Sequence, residues 1–324
     1  MLIQLIIVGC CFGQYVNDNL RSYVQHFYGS KFAVEENFPM RVKLRQYARL
    51  FPHAPQPLHN ESFVYPEKTW IALIHTVPKN IDHITTTRNT WCKPEHQRRF
   101  GFKCVFVLVE STVIRNDMVD VFRKLNDTYH DIYFIQMPDT FEHWFTLQLK
   151  NINTYIMALD IFPGYKFYTR VDDQVMVTPD LLTDFLLSIP DHASSVGVYL
   201  NHKPYRRFTN KYFDPLAVNI PRYFHFPLGF FSMFSQDITK YIATWDHYYH
   251  FAPSSLEDPG FGHWLYGFAN ATQQKVNLYT PEKWGGTMYW EGQVYGDYIL
   301  FHDLKTKLNV TMIYERRVAE GHFN

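Results

Sequence analysis

Two pairs of adjacent acids are the residues of this chain whose type and spacing best suit chemistry. Asp172 and Asp173 end an apolar run over residues 165–171, and a second apolar run, 175–177, leaves them. Hard carboxylate oxygens in such a place hold Mg²⁺ or Mn²⁺, and the cation neutralises charge that develops on a leaving diphosphate. Solvated loop acids are the plainer account of the same pair. Glu257 and Asp258 lie in the segment Ser254-Ser-Leu-Glu-Asp-Pro-Gly260. Acids there either cap a helix, favoured by the positive end of its dipole, or supply a general base that takes a proton from an acceptor hydroxyl. A helix N-terminus beside a reaction centre suits both roles.

Such acids need a scaffold that presents them together. Strand-like apolar runs occur at 68–75, 103–109, 131–136 and 165–171, with a helix-compatible stretch between the first two and helical spacing over 145–162. Strands alternating with helices predict βαβ units, hence an α/β fold with a mainly parallel, Rossmann-like sheet flanked by helices. Ligands of these sheets lie outside the carboxyl ends of the strands, where Asp172 and Asp173 fall. Pro179 opens a predicted helix to Leu187. Further strand-like runs cover 195–200 and 228–235, and helical stretches cover 236–247 and 257–270. With no internal repeat or low-complexity block, residues 67–324 read as one catalytic domain. Residues 14–66, polar and carrying Pro39, Pro52, Pro55 and Pro57, read as a stem or N-terminal extension.

The 324 residues, 46% hydrophobic, suffice for one large core. Lys and Arg number 31 against 31 Asp and Glu, and no basic stripe is present, which excludes nucleic acid as a partner. Aromatic residues make up 18%; most belong in a core, although such rings also stack on sugar faces. Residues 1–13 form an apolar run of roughly half the ~20 residues a spanning helix needs. They read as a signal peptide with Gly13 at the cleavage position, as a short signal-anchor that tethers the protein to a membrane, or as an ordinary buried segment. Asn60, Asn126, Asn270 and Asn309 each start a glycosylation acceptor triplet, consistent with a secretory-pathway lumen. Of four cysteines, Cys92 and Cys104 lie beyond the leader. They form either one disulfide closing a short loop or two buried thiols.

Several segments, in order, resemble the β-1,3-galactosyltransferase family (glycosyltransferase family 31). Arg88-Asn-Thr-Trp91 is similar to its Arg-x-Thr-Trp signature, and Asp131-Ile with Asp139-Thr-Phe141 to its Asp-Ile and Asp-Thr-Tyr stretches. Leu149-Lys150, Pro163-Gly-Tyr-Lys166 and Arg170-Val-Asp172-Asp173-Gln174 resemble its Leu-Lys pair, strand and Asp-Asp-Asp motif. Lys211-Tyr212, Pro221-Arg-Tyr223 and Gly229 through Ser235 follow its glycine-loop region. Glu257-Asp258 with Gly262 resembles Glu-Asp-Val-x-x-Gly, and Phe301-His302 its C-terminal histidine segment. The resemblance spans roughly residues 68–305. It implies a GT-A type fold, a UDP-sugar donor, a glycan acceptor on glycoprotein or glycolipid, inversion at the anomeric carbon and a Golgi address. It further implies Asp258 as the base, and Arg88, Lys150, Asp172, Asp173 and Glu257 at the donor. Asp173, Gln174 and His302 fall at its metal site, which takes Mn²⁺.

The departures from the family pattern are specific. Gln174 replaces the third acid, so the ligand brings no charge and Mn²⁺ affinity should fall. Phe231 replaces a loop glycine, which predicts a side chain in the way of a backbone that approaches the donor. Pro259 replaces a valine, and Phe162 stands where many members have cysteine. Two functions follow from these residues. One is an active transferase that moves a hexose or N-acetylhexosamine to a glycan hydroxyl. The other is a catalytically impaired relative that binds nucleotide, glycan or a partner enzyme.

Overall fold

An apolar run with no polar alternation buries both of its faces only inside a sheet that is covered on both sides. Trp70–His75 is such a run, and every residue of it is buried. The computed structural model describes residues 68–136, 147–207, 210, 212–214, 217, 221–244, 256–280, 299–302, 304 and 307–323. All of them fall within one compact unit, Tyr47–Asn324. The expected leader, stem and Asn60 triplet lie outside the described residues, as does the Asp139-Thr-Phe141 stretch.

In chain order the elements are β1 (Trp70–His75), a 3-10 turn (Pro78–Asn80), α1 (Ile81–Arg88), α2 (Pro94–Arg99), β2 (Phe102–Val109), α3 (Glu110–Arg115), α4 (Val119–Tyr129) and β3 (Ile132–Ile135). Then come α5 (Leu147–Ile161), β4 (Phe167–Asp172), β5 (Met176–Val177), α6 (Pro179–Leu187), β6 (Ser194–Leu200) and β7 (Phe226–Ser235). The last are α7 (Gln236–Ile242), α8 (Glu257–Thr272), β8 (Asn277–Tyr279), β9 (Leu300–Phe301) and α9 (Lys307–Ala319). The main sheet runs β3-β2-β1-β4-β7-β6-β8, and β5 pairs with β9 in a separate ladder. Parallel pairing joins β3, β2, β1 and β4, while β7 is antiparallel to both β4 and β6. The expected α/β architecture, a mainly parallel sheet flanked by helices, is therefore present.

One face of the sheet carries a continuous core built from Trp70, Ile74, Phe102, Phe106, Phe167 and Val171, capped by Leu182 and Leu186 of α6 and Val310 and Ile313 of α9. The other face packs on α5 and α8, where Tyr155 meets Phe234 edge-on and Phe234 meets Phe261. Helix α5 is buried from Gln148 through Ala158. Its polar side chains therefore need partners inside the protein.

The register places the functional edge. Val171, next to the end of β4, pairs with Phe231, so residues 226–230 of β7 run on past the carboxyl edge of the parallel strands. Strand β6 follows, with Leu200 opposite Phe226. This overhang makes a wall beside Asp172. The predicted helix over 236–247 is described only as Gln236–Ile242. The β5–β9 ladder, β8 and α9 were not foreseen, because ladders of two or three residues carry no readable period.

Cys92 and Cys104 form a disulfide with Cα atoms 5.9 Å apart, tying the loop after α1 to β2. Phe162, at the family's cysteine position, instead packs edge-on against Tyr133. Of the acceptor triplets, Asn126 is buried and its Oδ1 accepts the Ile132 N–H at 3.4 Å, so folding occludes it. Asn270 is exposed on α8. A Cys92→Ser, Cys104→Ser double variant should lose about 2–3 kcal/mol of stability, the loop-closure entropy of a short loop. Urea denaturation of oxidised wild type against the variant measures this, and equal midpoints would show that the bridge contributes nothing.

Candidate active site

A charge inside an apolar strand must find opposite charge or hydrogen bonds there, because leaving it unpaired costs several kcal/mol. Arg170 of β4, 4% exposed, is that charge. Its Nε stands 3.0 Å from Glu257 Oε1, and its Nη2 donates to Glu257 Oε2 at 3.3 Å. Its Nη1 stands 2.8 Å from Asp172 Oδ1 and donates to the Gly229 carbonyl. Asn151 Nδ2 of α5 donates to Glu257 Oε1 at 2.7 Å. Burial works against the charge on Arg170, and Asp172, Glu257 and Asp258 outweigh it. One guanidinium thus fastens β4, β7 and the start of α8 together.

Asp258 follows Glu257 on the first turn of α8 but points elsewhere, as neighbours on a helix do. It lines a cavity of about 540 Å³ together with Asp172, Glu257, Gly229, Phe230 and His302. Protein surrounds it on most sides while one face stays open to this cavity. Its carboxyl is pushed up to about 7, first by burial and next by Glu257, against the Gly229 N–H bonded to it and Arg170. Gly229 has to be glycine for this approach. A Cβ there would collide with Asp258 Oδ1 and stand 3.1 Å from Glu257 Oε2. Pro259 costs the helix nothing, since a first-turn residue has no intrahelical N–H bond to lose.

The two acids of the first pair part company. Asp172 has a side chain 37% exposed and faces the cavity. Asp173 is buried, and its Oδ2 accepts from Thr76 Oγ1 at 2.6 Å and Asn80 Nδ2 at 2.8 Å. Burial raises its pKa, opposed by those two bonds. Lys150, also buried, donates to the Thr76 carbonyl at 3.1 Å, so Asp173 and Lys150 both anchor the loop after β1. Arg88 is bonded through Nε and Nη2 to Asp131, each at 2.8 Å, and its guanidinium lies 3.8 Å from the Tyr129 ring centroid. Neither Arg88 nor Lys150 lines the cavity.

His302 reaches the cavity because β9 pairs with β5 and the Leu304 N–H bonds the Gln174 carbonyl at 3.1 Å. Its ring stacks on Phe230, centroids 4.1 Å apart. Gln174 is partly buried and lies outside the cavity lining. Phe231 corrects an expectation. It is fully buried in β7, within the core, and Phe230 is the ring at the cavity. As to a divalent cation, among the described residues no three His, Cys, Asp or Glu side chains converge as ligands. The cavity offers a hard carboxylate at Asp172, one oxygen of which is paired with Arg170, and an imidazole at His302, donor types that such a cation accepts.

The structure therefore gathers Asp172, Glu257, Asp258 and His302 at one cavity and sets Asp173, Lys150 and Arg88 behind it or apart from it. Sequence reasoning gave Arg170 and Gly229 no role of their own and did not name Asn151. The signal was the lone arginine in an apolar strand, which had to be paired with buried acid.

A mainly parallel α/β sheet with carboxylates gathered outside the strand ends is a frame for ligand chemistry at that edge. A family profile described as galactosyltransferase matches residues 85–273, more than half the chain and inclusive of every one of these groups except His302. The chain belongs to the galactosyltransferase family and is thereby a glycosyltransferase. No curated protein matches it. Among solved structures, a 4-diphosphocytidyl-2C-methyl-D-erythritol synthase from Anaerococcus prevotii is similar at 10% identity, covering 79% of this chain and 99% of that one, with a TM-score of 0.37. The mannosyltransferase Ktr4p from S. cerevisiae is similar at 11% identity over 70% of this chain and 76% of its own, with a TM-score of 0.31.

Gly229→Ala should fold, since the atom in its way is the end of a side chain, but it should displace Asp258. An ångström of misplacement at a reacting group costs about 10²-fold in rate. Thermal melting together with sugar-transfer or donor-hydrolysis assays tests this, and wild-type rates in the variant would detach Asp258 from catalysis.

Proposed function

We propose that the chain is an inverting transferase that moves a hexose or N-acetylhexosamine from a UDP-sugar to a glycan hydroxyl, forming a β-1,3 linkage. The observation that carries this reading is Asp258, a carboxylate with a pKa pushed up to about 7 and held open to a cavity that Asp172 and His302 also line. A base works best when its pKa lies near the working pH. Asp258 takes the proton of the acceptor hydroxyl, that oxygen attacks the anomeric carbon, and the bond from that carbon to the diphosphate breaks on the opposite face. The products are the new glycoside and UDP, and the proton leaves Asp258 to solvent.

Arg170 and Asn151 hold Glu257, and through the turn of α8 they fix the direction of Asp258. Asp173, Lys150 and Arg88 serve the donor end by setting the loop after β1 and the edge at Asp131. Mn²⁺, if bound, would neutralise charge on the leaving diphosphate, and Asp172 and His302 are the residues at the cavity that would hold it. We further propose a secretory, Golgi-type lumen as the working compartment. The Cys92–Cys104 disulfide supports it, because such bonds persist in oxidising compartments. Among the described residues no helix is long and apolar enough to cross a membrane.

Asp258→Asn should cut transfer by about 10²–10⁴-fold while UDP-sugar affinity stays unchanged. In the wild type, kcat/KM should fall about tenfold per pH unit below about 7 as Asp258 gains its proton, and rise to a plateau above. The same raised pKa means the folded state binds this proton more tightly than the unfolded one, so stability is lost as pH rises from the ordinary carboxylate range through 7. Asp258→Asn should therefore flatten the stability profile over that window. A panel of UDP-sugars, with and without Mn²⁺, supplies the assay. Normal transfer by the asparagine variant would sink the assignment of the base.

A further inference from the structure

The wall of the cavity away from the carboxylates has an aromatic surface that the reaction above does not use. Leu200, His202, Tyr205, Tyr212 and Phe226 form it. Tyr205 is 44% exposed and Tyr212 38%, yet their ring centroids lie only 6.0 Å apart. The base beneath them is closely packed. His202 meets Tyr205 edge-on at 5.4 Å and, on its inner side, Tyr223 at 5.7 Å and Phe226 at 5.5 Å. Tyr223 and Phe226 are each 2% exposed, and the Tyr223 hydroxyl donates to the buried Asp214 at 2.9 Å. A backbone bridge between Tyr205 and Phe213 closes the segment. Two half-exposed rings on so fixed a support are a prepared surface.

We propose that Tyr205 and Tyr212 are the acceptor platform of this cavity, receiving the C–H face of a pyranose ring. The proposal rests on the transferase reading above. A pyranose has one apolar face and a rim of hydroxyls, so it packs flat on an aromatic ring while its hydroxyls reach polar groups at the side. The sheet order gives the side. Across the strands, Asp172 stands on β4, Gly229 with Asp258 at β7, and Leu200 with His202 at the end of β6. An inverting displacement keeps the entering and leaving groups on opposite sides of the anomeric carbon. With the diphosphate toward Asp172 and the base in the middle, the entering sugar lies toward the tyrosines.

Methyl β-pyranosides of glucose, galactose, N-acetylglucosamine and N-acetylgalactosamine serve as probes, with binding read by saturation-transfer NMR on the full chain. At least one should bind. Its dissociation constant should rise about tenfold in Tyr205→Ala and in Tyr212→Ala and stay near wild type in the two Tyr→Phe variants, which keep the rings. Binding of UDP, measured in the same samples, should not change and serves as the check on folding. Wild-type protein that binds none of the four, or alanine variants that bind them normally, would overturn the platform. Alanine variants that lose UDP while keeping their melting temperature would overturn it too, by giving the wall to the nucleobase. Pyranoside binding lost in both alanine variants, from a protein that neither binds nor hydrolyses any UDP-sugar, would uphold the platform and sink the donor assignment instead.

Discussion

The buried guanidinium of Arg170 is the constraint on which the rest of the site depends. Taking it out of water is expensive, and the cost is met only while Glu257, Asp172 and the Gly229 carbonyl all stay within reach. Those three partners lie on α8, β4 and β7, up to 87 positions from Arg170 along the chain. The sheet edge and the helix start therefore hold one arrangement or pay for an uncompensated charge. The close passage of β7 past α8 follows, and with it the need for glycine at 229.

The frame was largely legible in the sequence. Apolar runs at 68–75, 103–109 and 165–171 announce buried strands, and β1, β2 and β4 fall where they do. Helix α6 spans Pro179–Leu187, as the proline signal indicates. What escaped was decided by pairing across long separations. The ladder between Met176–Val177 and Leu300–Phe301 brings His302 to the cavity, and nothing local in either segment marks it. The same limit applies to the acids. Asp172 and Asp173 read alike as letters, but Thr76 and Asn80 arrive from the loop after β1 and engage only the second. Likewise Phe231, which looks like an obstruction when set against a glycine, is drawn into the core by its pairing with Val171, and Phe230 takes the place at the cavity.

The polar residues of α5 show how the site is held from behind. A helix buried on every side would ordinarily be apolar throughout. Here Gln148 donates to the Leu256 carbonyl, Lys150 to that of Thr76, and Asn151 to Glu257, while Thr154 pairs with His75. Each bond ends on an element that borders the cavity or supports a residue there. Because an unmade bond at these depths costs about 1–3 kcal/mol, these contacts fix the helix relative to the site more narrowly than apolar packing would.

Glu257 and Asp258 are adjacent and of one chemical type, yet the network separates their surroundings. Glu257 has both oxygens engaged by Arg170 and one also by Asn151, partners that hold it in place and oppose the rise in its pKa that burial causes. Asp258 has the Gly229 N–H and feels Arg170 at longer range, while Glu257 repels its charge from the next position. Of the two, it is the one that lines the cavity without a side-chain cation bonded to it among the described residues, and the one that the proposed reaction uses as its base. The amide at Gln174 fits this balance. The cavity already sets Asp172, Glu257 and Asp258 against one guanidinium, and a further acid at the strand end would deepen the negative field and raise Asp258 again. On the transferase reading proposed above, an uncharged residue at 174 would keep Asp258 closer to neutral pH and leave less fixed negative charge for a diphosphate to overcome.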